Sequence, residues 1–337
     1  MTNPADGASA KFVASRVRAV GLWPTCRRYI AIARPDHWIK NAFMLPGTAA
    51  ALAVVPYGAH LRIVPVASAV VATCLGASAN YTINEYLDAG FDRFHPTKHH
   101  RPGAQGLLNP WLVALQYGVL GFASLLLAAG VSDTFLLATL GLLLMGVLYN
   151  VPPIRTKDKA YLDTLSESIN SPIRFLLGWF AVAPAFLPPA SALLAYWMGG
   201  AFLMGVKRYA EYRSIGDPAR AALYRRSYAH YSEQSLLLAA FFFAMCSAFF
   251  IGIFLIKYRV EFLLTSPLYA ALFTWYLAIG CRHNSAAQAP EKLHGEVAFI
   301  CFAAITFIIS AALFFIDVPF LQAFMEPHVI RTGLHGF

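Results

Sequence analysis

Asn84, Asp88 and Asp92 stand four residues apart in the stretch "NEYLDAGFDRFHPTKHHRP", which runs from 84 to 102 between two long apolar runs. On a helix this spacing keeps all three on one face, so an amide and two carboxylates lie one turn apart. Like charges at that spacing repel. A divalent cation removes the repulsion, and Mg2+ favours hard oxygen ligands: one or two carboxylates completed by phosphate oxygens and water. Glu85 is placed to join them. Arg93, Lys98 and Arg101 follow at once, and Pro96 and Pro102 break the helix, so the basic part can fold back over the acidic part. Mg2+ ligands beside cations suit a diphosphate. The plainer alternative is a solvated helix end paired with its own basic residues.

Two further stretches concentrate polar chemistry. In "KDKAYLDTLSESINSPIR", from Lys157 to Arg174, the residues Asp163, Glu167, Asn170 and Arg174 form one helical stripe that runs into an apolar segment. Such a stripe is expected to face a cavity, because charge exposed to lipid is costly. An ion pair of Asp163 or Glu167 with Arg174 that braces the helices is the alternative, and Pro172 is expected to kink the stripe. In "KRYAEYRS", Lys207, Arg208, Tyr209 and Glu211 close another apolar run. Lys207 and Glu211 can pair along a helix, or the cations can snorkel towards a membrane surface.

The elements that position these residues are membrane helices. The 337 residues are 58% hydrophobic and 13% charged, against roughly 25% charged in soluble domains. Nine apolar segments are long enough, some with tilt, to cross about 30 Å of hydrocarbon: 41–57, 62–83, 110–130, 134–151, 164–184, 188–206, 234–256, 263–281 and 294–316. The expected fold is all-α and integral to a membrane. The net charge of +9 would point to nucleic acid in a soluble chain. Here Lys and Arg collect in alternate loops, 85–109, 152–163, 207–233 and 282–293, whereas 58–61, 131–133 and 185–187 carry none. By the positive-inside rule these basic loops and the N-terminus are cytoplasmic, the C-terminus is outside, and no nucleic-acid partner is expected. Lys257 and Arg259 are the minor exception.

The five cysteines are scattered and frame neither a zinc site nor disulfides. The first thirty residues lack a signal peptide's apolar core. Residues 1–33 read as a basic cytoplasmic segment, interfacial or disordered, 34–316 as the membrane domain, and 317–337 as a tail on the other side.

The row Asn84-x-x-x-Asp88-x-x-x-Asp92, followed by His95-Pro96-x-Lys98-x-x-Arg101-Pro102, resembles the first aspartate-rich motif of the UbiA superfamily of membrane prenyltransferases. Arg34-Pro35-x-x-Trp38-x-Lys40-Asn41 also resembles a segment of that family, and the likeness covers about residues 30–316. It implies nine helices around a central cavity, Mg2+ on Asn84, Asp88 and Asp92, and an isoprenoid lipid with a diphosphate-bearing co-substrate, at the plasma (inner) membrane. Glu85 stands where the family usually has Asp, and a second aspartate-rich motif is missing near 207. The residues there, with Lys157, Asp163 and Arg174, are similar instead to the decaprenyl-phosphate phosphoribosyltransferase-like subgroup.

The resemblance implies Asp88, Asp92, Lys207 and Arg208 as catalytic groups. Lys40, Glu85, Arg93, Lys98, Arg101, Lys157, Asp163, Glu167, Arg174, Tyr209 and Glu211 are its substrate contacts. The expected reaction is phosphoribosyl transfer from phosphoribosyl diphosphate to a polyprenyl phosphate. Prenyl transfer to an aromatic or lipid acceptor is the alternative within the family. A transporter is the rival of another class; it accounts for charges within the membrane but not for an acidic row joined to a basic loop.

Overall fold

Helix ends in this chain are written into its polar punctuation. Asn109 accepts from the Trp111 amide and Ser132 from the Phe135 amide, each starting an apolar helix. Asp217 caps the short helix that follows it in the same way, and Gly216, at φ 72°, ends the helix before it. A computed structural model describes residues 22–55, 57–258, 260–282, 285–288, 293, 295–313 and 316–321. The basic stretch before residue 22 and the tail beyond 321 lie outside the described residues.

The described helices are α1 (Leu22–Ala33), α2 (Leu45–Val54), α3 (Ile63–Leu87), a short α4 (Ala89–Asp92), α5 (Pro110–Ala129), α6 (Asp133–Asn150), α7 (Leu162–Ser168), α8 (Asn170–Phe180), α9 (Ala190–Ile215), α10 (Pro218–Tyr224), α11 (Glu233–Tyr258), α12 (Ser266–Gly280) and α13 (Val297–Leu313). A tighter helical segment, Pro35–Met44, leads into α2. No strand occurs among the described residues.

Five of the described segments are long and apolar enough to cross a membrane: Ile63–Leu87, Pro110–Ala129, Asp133–Asn150, Glu233–Tyr258 and Val260–Gly280. Others fall short for local reasons. The expected 41–57 span is divided between Pro35–Met44 and α2. The 164–184 span is divided between α7 and α8 at Ile169. Pro172 falls in the first turn of α8, where the missing N–H costs little, so the break precedes it. Helix α9 has 26 residues but ends in Lys207, Arg208, Glu211 and Arg213. The "KRYAE" stretch is therefore the last third of a helix, and the loop after it starts at Gly216.

Small residues let these helices approach closely. A methyl group added at Gly47 would lie 2.0 Å from the Phe175 carbonyl oxygen, and one at Gly178 would lie 1.9 Å from that of Met44. Backbones of α2 and α8 thus touch, as small-residue contacts permit in membranes. One apolar core joins α2, α3, α6 and α8 through Leu142, Leu177 and Trp179; another joins α9, α11 and α12 through Phe202, Phe243 and Ile279. On α5, Trp111, Leu115, Val119, Phe122 and Leu126 form one exposed apolar stripe, as a lipid-facing helix requires. Most charged groups converge elsewhere, where α3, α6 and α9 end and α7 begins, beneath the 88–109 and 216–232 loops.

Candidate active site

The acidic row survives a break in its helix. Helix α3 ends at Leu87, yet the Asp88 amide bonds the Asn84 carbonyl and the Asp92 amide bonds that of Asp88, both at 2.9 Å. The one-turn spacing therefore holds across the junction with α4. Asp88 Oδ1 lies 2.9 Å from Arg155 Nη2 and also contacts Lys157 Nζ. Asn84 Nδ2 donates to Asn150 Oδ1 at 2.6 Å, and Lys157 Nζ donates to the same oxygen at 2.7 Å.

Arg155 has the left-handed backbone conformation, φ 30°, which costs a residue bearing a Cβ roughly 1 kcal/mol. Its side chain holds it there: Nη1 donates to the Asn150 carbonyl (2.8 Å) and Nε to Asp158 (3.2 Å). The loop after α6 is thus locked into delivering both Arg155 and Lys157 to Asp88.

The fold-back expected of the basic segment takes place. Arg101 Nη1 reaches Asp92 at 2.7 Å, and its Nε stands 3.8 Å from Glu85. Gly103 permits the approach: a Cβ there would lie 2.6 Å from the Glu85 carbonyl oxygen. Arg34 pairs with Glu85 at 2.5 Å, and Glu85 Oε1 is buried without a hydrogen-bond partner. Asp88, Phe91, Asp92, Arg155, Lys157, Asp158, Tyr224 and Arg225 line one cleft.

Electrostatics differ along the row. Burial would raise the Asp88 carboxyl, but Lys157, Arg225 and Arg155 hold it below its usual value. Burial raises Asp92, and repulsion from Asp88 adds to this, so Arg101 and Lys98 offset it only in part. Burial brings Lys157 down to about 8 against the attraction of Asp88.

These residues fit Mg2+. Both carboxylates face one cleft and repel each other as they stand, and the donors are all oxygens. No group of three or more His, Cys, Asp or Glu side chains able to hold a metal occurs among the described residues. A few protein carboxylates completed by substrate oxygens and water is the Mg2+ pattern.

A second cluster adjoins the first. Arg208 of α9 is wholly buried and meets Asp163 at 3.3 Å, Glu167, and Glu211 at 3.7 Å. Lys207 stands 3.5 Å from Glu167. Glu211 accepts from Lys98 (2.5 Å), Tyr224 (3.0 Å) and Tyr228 (2.8 Å), so it ties both loops to α9.

Of the residues singled out in sequence, Asn84, Glu85, Asp88, Asp92, Lys98, Arg101, Lys157, Asp163, Glu167, Lys207, Arg208 and Glu211 are brought together here. Four are not. Arg93 is exposed and donates to the Ala104 carbonyl. Tyr209 lies on the other side of α9, under Arg213. Lys40 contacts His37 and stands at the edge of the second cluster, where its charge acts on Lys207. Arg174 bonds Asn41 Oδ1 at 3.0 Å and the Asn170 carbonyl at 3.2 Å, so Asp163 and Glu167 pair with Arg208 instead of with Arg174. Arg34, Tyr149, Asn150, Arg155, Tyr224, Arg225 and Tyr228 complete the clusters without having been predicted as site residues. The one sequence signal for the last three is "YRRSY", which alternates basic and aromatic residues in a long polar loop.

The family model for the UbiA prenyltransferase family matches residues 43–303. Decaprenyl-phosphate phosphoribosyltransferase of Mycolicibacterium smegmatis is 34% identical over 187 residues, covering 54% of this chain and 56% of that protein. Its namesake from Mycobacterium tuberculosis is 33% identical over 207 residues, covering 60% and 65%. The match thus spans between half and two thirds of each relative's length. A solved structure described as a UbiA homolog from Archaeoglobus fulgidus bound to GPP and Mg2+ shares the fold, with a TM-score of 0.64 at 19% identity, over 86% of this chain and 100% of that one. With its apolar helices and a family match over most of its length, this integral membrane protein belongs to the UbiA prenyltransferase family.

Proposed function

We propose that the chain is a Mg2+-dependent transferase that displaces diphosphate, moving a phosphoribosyl group from phosphoribosyl diphosphate to a polyprenyl phosphate. In this reading nine helical spans surround a central cavity in the plasma membrane, with the N-terminus and the charged cleft on the cytoplasmic side. The observation that carries the choice of substrate is the state of α9. Where a second acidic pair would hold a second metal ion, this helix presents Lys207 and Arg208, and its one acid, Glu211, is occupied by Lys98, Tyr224 and Tyr228. Cations at that position bind phosphate directly. The names of the relatives support the same choice.

Asn84, Asp88 and Asp92 would hold Mg2+, which when bound supplies positive charge against the departing diphosphate. Arg155 and Lys157, which now neutralise Asp88, are placed to take diphosphate oxygens. The C1–O bond to diphosphate breaks, and an acceptor phosphate oxygen forms the new bond at C1. That oxygen is already ionised at neutral pH, so the residues' task is to place charge and exclude water. Arg174 lies on α8, beyond the break at Ile169 that separates it from Glu167 on α7. It has no carboxylate partner among the described residues and suits the lipid acceptor's phosphate. Chelation tests the reading: EDTA should abolish transfer in detergent and added Mg2+ should restore it, whereas undiminished transfer after chelation would refute the metal's role.

A further inference from the structure

Arg208, wholly buried, and Arg225, largely buried, have too few acceptors between them in one wall of the site. Arg208 Nη2 and Arg225 Nη1 both donate to the Tyr149 hydroxyl, at 3.0 and 3.2 Å. Both also approach Asp163 Oδ2, at 3.3 and 3.8 Å. The tyrosine is saturated, because it donates its own proton to Glu167 at 2.7 Å and a hydroxyl accepts only twice. Asp163 is shared further with Ser227 and Tyr231, at 3.1 and 2.7 Å. Each guanidinium keeps a buried N–H with no hydrogen-bond acceptor: Nη1 of Arg208 and Nε of Arg225. Glu211 Oε2 stands 3.7 Å from Arg208 Nη1, beyond hydrogen-bond reach, and the Glu211 carboxylate accepts instead from Lys98 and two tyrosines. Lys207 adds a third cation next to Arg208; the acids facing the group are Asp163, Glu167 and Glu211, and Glu211 is shared with Lys98. Convergent like charges with unmet donors are unfavourable in a buried site unless an anion joins them.

Arg225 also lines the cleft that contains Asp88 and Asp92. The cleft therefore has two cation groups: Arg155 and Lys157, held against Asp88, and Arg225 with Arg208 behind it, held against Asp163. A donor with a single anionic end engages one group. A donor with a diphosphate at one end and a phosphate at the other engages both.

We infer that Arg225, backed by Arg208, receives the terminal phosphate of a sugar-phosphate donor and selects that donor over a prenyl diphosphate, whose other end is hydrocarbon. This rests on the phosphoribosyl reading above. It makes Arg225 a specificity determinant supplied by the "YRRSY" loop, outside the acidic row and outside "KRYAE".

Two competitive inhibitors separate the groups in the full chain purified in detergent. Inorganic diphosphate occupies only the leaving-group end; ribose 5-phosphate carries only the terminal phosphate. With R225Q, the Ki for ribose 5-phosphate and the KM for phosphoribosyl diphosphate should each rise about tenfold or more, the weight of one charge-assisted hydrogen bond. The Ki for inorganic diphosphate should change less than about twofold, which also shows that the variant is folded, and R225K should recover part of the loss. An unchanged ribose 5-phosphate Ki overturns the inference, as does equal weakening of both inhibitors. If the wild-type chain binds prenyl diphosphates but not phosphoribosyl diphosphate, the phosphoribosyl reading fails and the inference falls with it. Wild-type ribosyl transfer with an insensitive R225Q removes the inference alone.

Discussion

Asp88 Oδ1 and Arg155 Nη2 are 2.9 Å apart, with Lys157 Nζ on the same carboxylate oxygen. The carboxylate best placed to bind a cation is thus already neutralised by two side chains suited to bind an anion. Metal and diphosphate arriving together would exchange partners with this set: the metal on Asp88, the freed cations on the diphosphate. Binding of each should strengthen binding of the other.

Asp88→Ala and Asp92→Ala should each lower Mg2+-dependent turnover by about a hundredfold or more, as the loss of charge stabilisation at a leaving group does. Both variants should elute as the wild type does in gel filtration. Full activity in both would remove the acidic row from the reaction.

Lys157 gives the cleft a pH dependence. Burial, opposed by Asp88, leaves its ammonium titrating at about 8. A bound anion favours the charged form, so above about pH 8 binding must take up a proton and affinity falls as pH rises. The donor KM should be flat up to about pH 7 and approach a tenfold rise per unit well above 8. K157M should abolish that slope. A wild-type KM that stays level to about pH 9.5 would contradict this role.

Glu211 ties two loops to α9. Replacing it with Ala leaves Lys98 without its buried acid, removes one of the three acids around Arg208, and should cost about 3 kcal/mol of stability. The milder E211Q should expose the loops to trypsin at Lys98, Arg225 and Arg226. Unchanged digestion would mean that other contacts, such as Arg220 to the Phe94 carbonyl, hold the loops without it.

Local spacing made part of this site legible in the sequence. Asn84, Asp88 and Asp92 lie within two helical turns, and prolines after them announce the return of Arg101. The caps at Asn109 and Ser132 likewise sit at the ends of apolar runs. What stayed hidden depends on contacts between distant segments. The alternative pairing of Asp163 or Glu167 with Arg174, along one stripe, does not form; Arg208 reaches both acids from 45 and 41 residues away. Arg155 looks like any basic loop residue until its left-handed backbone turns it onto Asp88. Arg225 gains meaning only beside Tyr149, which comes from an apolar helix with no polar pattern of its own. In the 164–184 span Pro172 signals a kink, but the break falls three residues earlier, at Ile169, where the sequence carries no breaker.

Arg174 has no carboxylate partner among the described residues, an expensive arrangement in a membrane domain unless an anion approaches it. R174Q should raise the KM for the polyprenyl phosphate about tenfold and leave the donor KM within about twofold. An effect on the donor KM alone would place Arg174 at the other substrate.

The most direct measurement follows ribosyl label into lipid. Purified protein in detergent with Mg2+ and a polyprenyl phosphate of suitable length receives phosphoribosyl diphosphate labelled in the ribose. A parallel reaction receives a labelled prenyl diphosphate with aromatic and lipid acceptors. The account predicts ribosyl label in the organic phase, dependent on Mg2+, with equimolar diphosphate released. Prenyl transfer in the parallel reaction, with no ribosyl label reaching lipid, would contradict it.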